Sequence, residues 1–232
     1  MLSRRNALVT ALSSLAMLRA GEALAENTCS APFGNRECMA GLRIGAGETA
    51  RQRCDNWCWA ACVETVFALN GFAVRQERLV RKIFGSEGCF SANGDQMLAA
   101  VRGDWVDDRG RGFRADGHEL TWAGFGMNTS RDAPGGRGVQ GYRDLGALKI
   151  VSTLKAERPI IIGSIPPGGG IGHAMLLTAV RYEVVSYGGA GAESIRLRSL
   201  IVRDPWPDNP NRRELDDSEV RGAVFGIVLD VG

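Results

Sequence analysis

The chain contains 232 residues, of which 44% are hydrophobic and 23% are charged. This length is sufficient for one domain with a hydrophobic core or for two small lobes that share a cleft. The composition is that of an ordinary globular protein, which excludes a wholly disordered chain, a collagen and a coiled coil. The formal net charge of +2 gives no reason to expect a nucleic acid as the partner.

Residues 1–25 have the pattern of a signal peptide. Arg4 and Arg5 precede an apolar run over residues 7–18, and Ala23-Leu24-Ala25 supplies the small residues that a signal peptidase accepts. The paired arginines also fit a twin-arginine signal, which a receptor reads. The run of 12 residues is shorter than the about 20 residues that a membrane-spanning helix needs. We therefore expect an exported protein, periplasmic or secreted, without a membrane span.

Export also changes the expected charge and redox setting. Cleavage after Ala25 would remove three of the 28 basic and one of the 26 acidic side chains, so that 25 of each remain. The mature chain would then have no net charge. Disulfides form and persist outside the cytosol, so the six cysteines of this chain can pair there.

The mature chain has helical patterns first and strand patterns second. Apolar spacings of three and four predict a helix that begins near Asn56, and Asn70-Gly71 is a typical helix stop. Residues 103–142 are rich in Gly, Arg and Asp, which predicts a loop with one or two short strands. Further helices are expected over 74–84, 94–101 and 144–157, and strands over 160–162, 174–185, 195–201 and 223–229. This order indicates an α+β fold with two lobes.

Cys58 is the candidate nucleophile. Capping by Asp55 or Asn56 would place it in the first turn of a helix, where free backbone N–H groups and the helix dipole stabilise a thiolate. Gln52 lies six residues earlier. Its side-chain N–H would converge with the backbone N–H of Cys58 beside the sulfur, which is the arrangement that stabilises a tetrahedral oxyanion.

Two other interpretations of Cys58 stay open. A buried structural cysteine is common in globular proteins. Alternatively, Cys54, Cys58 and Cys62 would bind a metal or an iron–sulfur cluster. Their regular spacing lacks the two-residue separation that is usual in such sites, and no histidine is near in sequence, so we expect neither a metal nor another cofactor.

The chain has only two histidines, so the choice of base is narrow. His173 follows a glycine-rich stretch and begins a strongly apolar strand, from which it would reach the sulfur of Cys58. His118 lies in a polar stretch and is interpreted as a surface residue, with a role as the base as the alternative.

Asp204 is the candidate orienting residue. It closes the apolar run 200–202, and antiparallel pairing brings the end of one strand beside the start of its neighbour, where His173 lies. Its carboxylate would then accept a hydrogen bond from the imidazole. The alternative is that Asp204 only ends the strand in an Asp-Pro turn.

These residues carry a resemblance to a known family. Gln-x5-Cys-Trp-Ala, from Gln52 to Ala60, resembles the papain-like cysteine proteases. The run Cys58–Cys62 is similar to the effector proteases of plant pathogens and to bacteriocin-processing peptidases, and Asp204-Pro205-Trp206 resembles the acidic element of the latter. Papain itself has two residues between its cysteines here, whereas Cys54 and Cys58 have three.

The resemblance covers residues 50–70 and 144–207. It implies a papain-like two-lobe fold, in which a helical lobe with the nucleophile helix packs against an antiparallel sheet lobe. It further implies a peptidase domain over 51–232 after an N-terminal extension over 26–50. The substrate would be a protein or peptide, cleaved by Cys58, His173 and Asp204 with Gln52 at the oxyanion.

If Cys58 stays free, five cysteines remain, and an odd number leaves at least one more unpaired. We predict that Cys29 and Cys38 close a small loop. We also predict that either Cys54 or Cys62 pairs with Cys89.

Three functions are compatible with these residues. The first is an exported thiol peptidase. The second uses the same thioester chemistry but transfers the acyl group to an amine, as a transglutaminase or acyltransferase does. The third is a non-catalytic binding effector on the same scaffold, in which Cys58 would react no faster than a free thiol.

Overall fold

The computed structural model describes residues 24–25, 27–30, 36–120, 140–166, 168–187 and 192–232. The predicted signal peptide therefore lies outside the described residues, apart from Leu24 and Ala25. The middle of the glycine-rich region 103–142 also lies outside them, as does most of the turn expected over 186–191.

The described residues form a mixed α/β fold with five α-helices and a large antiparallel sheet. The helices are α1 (Cys58–Leu69), α2 (Gln76–Phe84), α3 (Gly94–Val101), α4 (Gln140–Lys155) and α5 (Asp217–Arg221). The strands are β1 (Leu24–Ala25), β2 (Thr28–Ser30), β3 (Arg36–Arg43), β4 (Gly103–Val106), β5 (Gly112–Leu120), β6 (Ile160–Ser164), β7 (His173–Tyr187), β8 (Ala192–Arg203), β9 (Arg212–Glu214) and β10 (Ala223–Val231).

The sheet has the strand order β1-β3-β7-β6-β10-β5-β4, and its neighbouring strands run antiparallel. The strand β8 also pairs with β7, and β9 pairs with β8. Because β7 and β8 are antiparallel, the first residues of β7 lie beside the last residues of β8, with Leu176 opposite Arg203. In the same way the start of β7 lies beside the end of β6, with His173 opposite Ser164.

Helices cover both faces of this sheet. Successive side chains of a strand point to opposite faces, and the two hydrophobic clusters follow that alternation. Ile161 and Leu176 pack with α1, α2 and α3, whereas Ile162 and Leu177 pack with the inner face of α4. All four side chains are buried. Burial of each one stabilises the folded state by about 1.5–3 kcal/mol. The start of α1 is thereby fixed against the sheet.

The sequence predicts most helices well and the N-terminal cap of α1 wrongly. The helix α3 has the expected bounds, and α1 ends at Leu69, followed by Asn70 as the C-terminal cap and by Gly71 in the left-handed region at φ 86°. Neither Asp55 nor Asn56 caps α1, because Trp57 occupies that position without a side-chain hydrogen bond. The side-chain Nδ2 of Asn56 instead donates to the Cys89 carbonyl at 3.0 Å.

Residues 103–120 form two strands, in agreement with the one or two that the sequence predicts, whereas the N-terminal extension adds strands that the sequence does not predict. Residues 103–120 form a hairpin that joins the sheet through β10, because Trp105 and Phe113 alternate with exposed neighbours and are buried. The N-terminal extension contributes β2 and β3, and β3 pairs with the second half of β7. Residues of the extension are therefore part of the same sheet.

Two disulfides confirm the predicted pairing of the cysteines. Cys29 and Cys38 join β2 to β3, and Cys54 pairs with Cys89, which leaves Cys58 and Cys62 free. Disulfides are consistent with an exported protein. None of the helices in the described part of the chain has the length and hydrophobicity to cross a membrane.

The two disulfides should differ in their contribution to stability. Cys54–Cys89 spans a sequence separation of 35 residues and Cys29–Cys38 one of 9. Because loop-closure entropy grows with loop length, replacing both cysteines of the pair by alanine should cost about 4 kcal/mol for Cys54–Cys89 and about 3 kcal/mol for Cys29–Cys38. Denaturant unfolding of the two double variants measures this difference. An equal or greater loss for the Cys29–Cys38 variant would contradict it.

Candidate active site

Cys58 is the first residue of α1 and is buried. The backbone N–H groups in the first turn of a helix have no partner within the helix, and the dipole is positive there. A second donor comes from the sheet, because the Ala174 backbone N–H points at the Cys58 sulfur with an N–S distance of 3.3 Å. The sulfur therefore lies where hydrogen-bond donors from two elements favour negative charge.

His173 lies between Cys58 and Asp204. It is the first residue of β7, and its Nε2 lies 2.8 Å from Oδ1 of Asp204. The imidazole also interacts with the Cys58 side chain. Its side chain is 26% exposed, so one part of the ring remains open to solvent. Asp204 contacts Nε2, so Nδ1 is the ring nitrogen that is available to exchange a proton with the Cys58 sulfur.

Asp204 follows the last residue of β8 and is fully buried. Besides His173, its Oδ1 accepts a hydrogen bond from the Trp206 backbone N–H at 2.9 Å. Its Oδ2 accepts from Nδ2 of Asn209 and from Nε of Arg213, both at 2.8 Å. Burial acts to raise the pKa of Asp204, but the hydrogen bond and positive charge of His173 and the hydrogen bonds from the Trp206 N–H and Asn209 outweigh it and hold the pKa well below its usual range. The carboxylate is therefore ionised at neutral pH.

The same contacts determine the charge of His173. Burial lowers its pKa, but the hydrogen bond to Asp204, the interaction with Cys58 and the negative charges of both residues raise it from 6.5 to about 9. Trp206 adds an edge-to-face ring contact with a centroid distance of 6.4 Å. The imidazolium form consequently predominates at neutral pH.

The loop after β8 is attached to the segment before α1. The Arg51 guanidinium donates through Nη1 to the carbonyls of Asp204, Trp206 and Asn209, at 3.0, 2.6 and 3.1 Å. The Gln52 backbone N–H donates to the Pro205 carbonyl at 2.9 Å. These contacts place the residues that precede Cys58 directly against the residues that hold His173.

Gln52 is buried beside this loop, and its amide is occupied. Nε2 donates to the carbonyls of Cys54 and Asp55, at 3.1 and 2.8 Å, while Oε1 has no hydrogen-bond partner. A role at an oxyanion would require Nε2 to give up one of these bonds to the loop. The structure thus brings Cys58, His173 and Asp204 into contact and leaves the role of Gln52 a prediction.

The loop before Cys58 is also fixed on its other side. The Cys54–Cys89 disulfide joins it to residues 85–93, and the indole N–H groups of Trp57 and Trp59 donate to the carbonyls of Gly88 and Phe90, at 3.0 and 3.2 Å. The two tryptophans therefore position a neighbouring loop by hydrogen bonding as well as by packing.

Cys62 and His118 are separate from this arrangement. Cys62 lies one turn further along α1, and burial, followed by the charges of Cys58 and Asp204, raises the pKa of Cys62 well above its usual value. His118 is on β5, where its Nδ1 lies 3.3 Å from the exposed Asp230. Among the described residues, no group of three or more His, Cys, Asp or Glu side chains could hold a metal ion.

Sequence reasoning missed five contributors to the site: the Ala174 N–H, Arg51, Asn209, Arg213, and Glu219, which pairs with Arg213. The backbone donor and Asn209 carry no sequence signal of their own. Arg213 is one of many arginines in the chain and is brought to Asp204 by the pairing of β8 with β9. Glu219 was detectable, because Asp216-x-x-Glu219 has the spacing of a capping box, which marks a helix start.

Comparison with known proteins gives no assignment for this site. No family model matches the chain, and no curated protein matches it.

The titration of His173 tests this description of the site. With only two histidines in the chain, a His118→Gln variant identifies the His173 signal in an NMR titration. We expect a midpoint at about pH 9, and a midpoint closer to 6.5 in Asp204→Asn, because that variant loses the carboxylate charge. A midpoint unchanged by Asp204→Asn would contradict the pairing.

The same shift predicts a pH dependence of stability. The folded pKa of His173 lies above the ordinary value of 6.5, so its contribution is complete below that pH and is lost as the pH rises through about 9. We therefore expect the free energy of unfolding to fall more in the wild type than in His173→Gln between pH 6.5 and 9.5.

Proposed function

We propose that the protein is an exported cysteine peptidase that hydrolyses peptide bonds through Cys58, His173 and Asp204. One observation carries the proposal: a buried carboxylate hydrogen-bonds an imidazole that in turn interacts with a cysteine at the start of a helix. A nucleophile, a base and an orienting group in series are the arrangement used for acyl transfer.

The proposed reaction begins with attack of the Cys58 sulfur on a peptide carbonyl carbon. His173, as the imidazolium, gives its proton to the nitrogen of the leaving amine when the carbon–nitrogen bond breaks. The resulting thioester is attacked by a water molecule that loses a proton to His173. The carbon–sulfur bond then breaks, the carboxylic acid leaves, and Cys58 is restored. Asp204 holds the ring in orientation and stays ionised throughout.

We further propose that the fold is the papain-like two-lobe fold. The nucleophile lies on a helix that belongs to one hydrophobic cluster with α2 and α3, and this supports a helical lobe. His173 begins β7 and Asp204 follows β8, and one face of these two strands packs on α4 in a second cluster, which supports a sheet lobe. The four residues also occur in the order Gln, Cys, His and Asp that the resemblance requires.

In this proposal the oxyanion is stabilised at the start of α1. The Cys58 backbone N–H lies in the first turn of α1, where N–H groups have no partner within the helix. Gln52 supplies the second donor by exchanging one of its bonds to the Cys54 and Asp55 carbonyls for the oxyanion. The contact of its backbone with Pro205 supports a fixed position near the site. The expected substrate remains a protein or peptide.

The nucleophile is tested by labelling and by hydrolysis. At pH 6, iodoacetamide should modify Cys58 faster than it modifies free cysteine, and Cys58→Ala should lose hydrolysis of a tryptic peptide library measured by mass spectrometry. Cys62→Ala is the matched control, because it removes the other free thiol and should keep both signals.

Two results would contradict the peptidase. Hydrolysis retained by Cys58→Ala would exclude the proposed chemistry, and labelling of Cys58 no faster than free cysteine would favour a non-catalytic protein. Products that carry an added amine in place of water would indicate acyl transfer instead.

The role of Gln52 is tested by Gln52→Ala. Loss of one oxyanion donor typically lowers kcat by about 10²- to 10³-fold, and we expect that loss here with little change in KM. The rate of Cys58 alkylation, which forms no oxyanion, should change much less than kcat. An equal fall in both rates would show that Gln52 only holds the loop 54–55 in place.

A further inference from the structure

The Asp204 carboxylate has a second charged partner that the proposed reaction does not use. Its Oδ1 accepts from His173 and from the Trp206 N–H, and its Oδ2 accepts from Asn209 and from Nε of Arg213 at 2.8 Å. A carboxylate offers about four lone-pair sites, so these four donors use its full capacity. Among the donors at Oδ2, only Arg213 carries a charge.

Arg213 is itself held in one orientation. Its Nη1 and Nη2 donate to the two carboxylate oxygens of Glu219 at 2.7 and 2.6 Å, which is a bidentate pair. Its Nη2 also lies 3.1 Å from Sδ of Met175 on β7. The Arg213 side chain is only 20% exposed, so water screens its charge little.

Glu219 is fixed by the first turn of α5. Its Oε2 accepts from the Asp216 backbone N–H at 3.0 Å, while the Asp216 carboxylate caps the helix. The Glu219 carbonyl accepts from Oγ of Ser164 at 2.9 Å, and Ser164 lies opposite His173 in the pairing of β6 and β7. Contacts therefore run from His173 through Asp204, Arg213 and Glu219 and return to the strand beside His173.

We propose that Arg213, held by Glu219, is a positioning residue that fixes the Asp204 carboxylate against His173 and offsets part of its negative charge. This inference rests on the proposed function of the site. Without Arg213, the full charge of Asp204 would act on the imidazolium, which would hold its proton more tightly and release it more slowly to the leaving amine. Without the charge of Glu219, Arg213 would offset more of the Asp204 charge, and the imidazolium would hold its proton less tightly.

The charged and titratable groups around His173 and Asp204 come from several elements. They are Cys58 and Cys62 on α1, Arg51 in the segment before α1, Arg213 on β9 and Glu219 on α5. Arg51 reaches the Asp204 backbone carbonyl and not its carboxylate. Arg213 and Glu219 are therefore the pair whose charges can be changed without removing the nucleophile, the base or the orienting carboxylate.

The experiment compares Arg213→Met and Glu219→Gln by NMR titration of His173. We expect the midpoint to rise by about 0.5–1 pH unit in Arg213→Met and to fall by a smaller amount in Glu219→Gln. A purely structural role would loosen Asp204 in both variants and shift the midpoint downward in both. Shifts of the same sign, or no shift in Arg213→Met, would overturn the proposal.

Kinetics supply the second readout. We expect Arg213→Met to lower kcat by about 3- to 10-fold with KM nearly unchanged, and to move the alkaline limb of kcat/KM upward with the His173 midpoint. Arg213→Lys, which keeps the charge, should retain a His173 midpoint near that of the wild type. If Arg213→Met does not fold, Arg213→Gln replaces it, because a glutamine amide can still donate to the Asp204 carboxylate but carries no charge. An upward shift of the His173 midpoint in Arg213→Gln supports the proposal, and no shift or a downward shift overturns it.

The matched control is Arg181→Met. Arg181 forms an ion pair with Glu214, the residue after Arg213. Both side chains of this pair are exposed, by 55% for Arg181 and by 49% for Glu214. This variant should change neither the His173 midpoint nor kcat. The titration needs no substrate, so it is independent of peptidase activity. A wild type that hydrolyses no peptide would refute the proposed function. The opposite shifts of the His173 midpoint in Arg213→Met and Glu219→Gln would still test the role of Arg213.

Discussion

The buried carboxylate of Asp204 is the interaction on which the site depends. Transfer of an isolated charge from water into a protein interior costs several kcal/mol even after relaxation, so a fully buried carboxylate requires partners. Here the partners come from the start of β7, from the loop after β8 and from β9. The requirement to satisfy one carboxylate therefore brings three parts of the chain together around His173.

The antiparallel sheet makes this convergence possible. Strands that run in opposite directions place the start of one beside the end of the next, so His173 and Asp204 meet although 31 residues separate them. The same rule brings Ser164, the last residue of β6, beside His173. The helix α1 packs on the sheet through its buried face, and its first residue thereby meets the start of β7. Strand register together with the packing of α1 thus positions Cys58, His173 and Asp204.

The sequence predicts the parts of this site that have local signals. Cys58 at a helix start, His173 at a strand start and Asp204 at a strand end follow from hydrophobic periodicity and from turn residues. The cap of α1 was predicted wrongly because the Asn56 side chain bonds to the Cys89 carbonyl, a contact created by the Cys54–Cys89 disulfide. A propensity for capping cannot anticipate a competing partner 33 residues away.

The contribution of residues 24–43 and of Arg213 was missed for a related reason. The strand β3 belongs to the sheet because it pairs with the far half of β7, and β9 belongs to it because it pairs with β8. The strand β9 is short, and buried and exposed residues do not alternate regularly along β3. Pairing with a neighbouring strand, and not the hydrophobic pattern of their own residues, therefore makes these segments strands. Arg213 takes its role from that pairing, since its neighbour Arg212 on the same strand lies opposite Arg203 and is exposed.

Cys58 and Cys62 show how strongly position decides chemistry in this fold. They are identical side chains one helical turn apart, both are buried and both are free. Cys58 lies where the helix leaves its N–H groups unpaired, beside the Ala174 N–H and an imidazole whose pKa is about 9. Cys62 lies deeper, where burial and the charges of Cys58 and Asp204 raise its pKa and keep it a neutral thiol. Burial is therefore the main reason that the second thiol stays neutral, and the charges of Cys58 and Asp204 add to it. Cys62 is thus far less suited than Cys58 to act as a nucleophile.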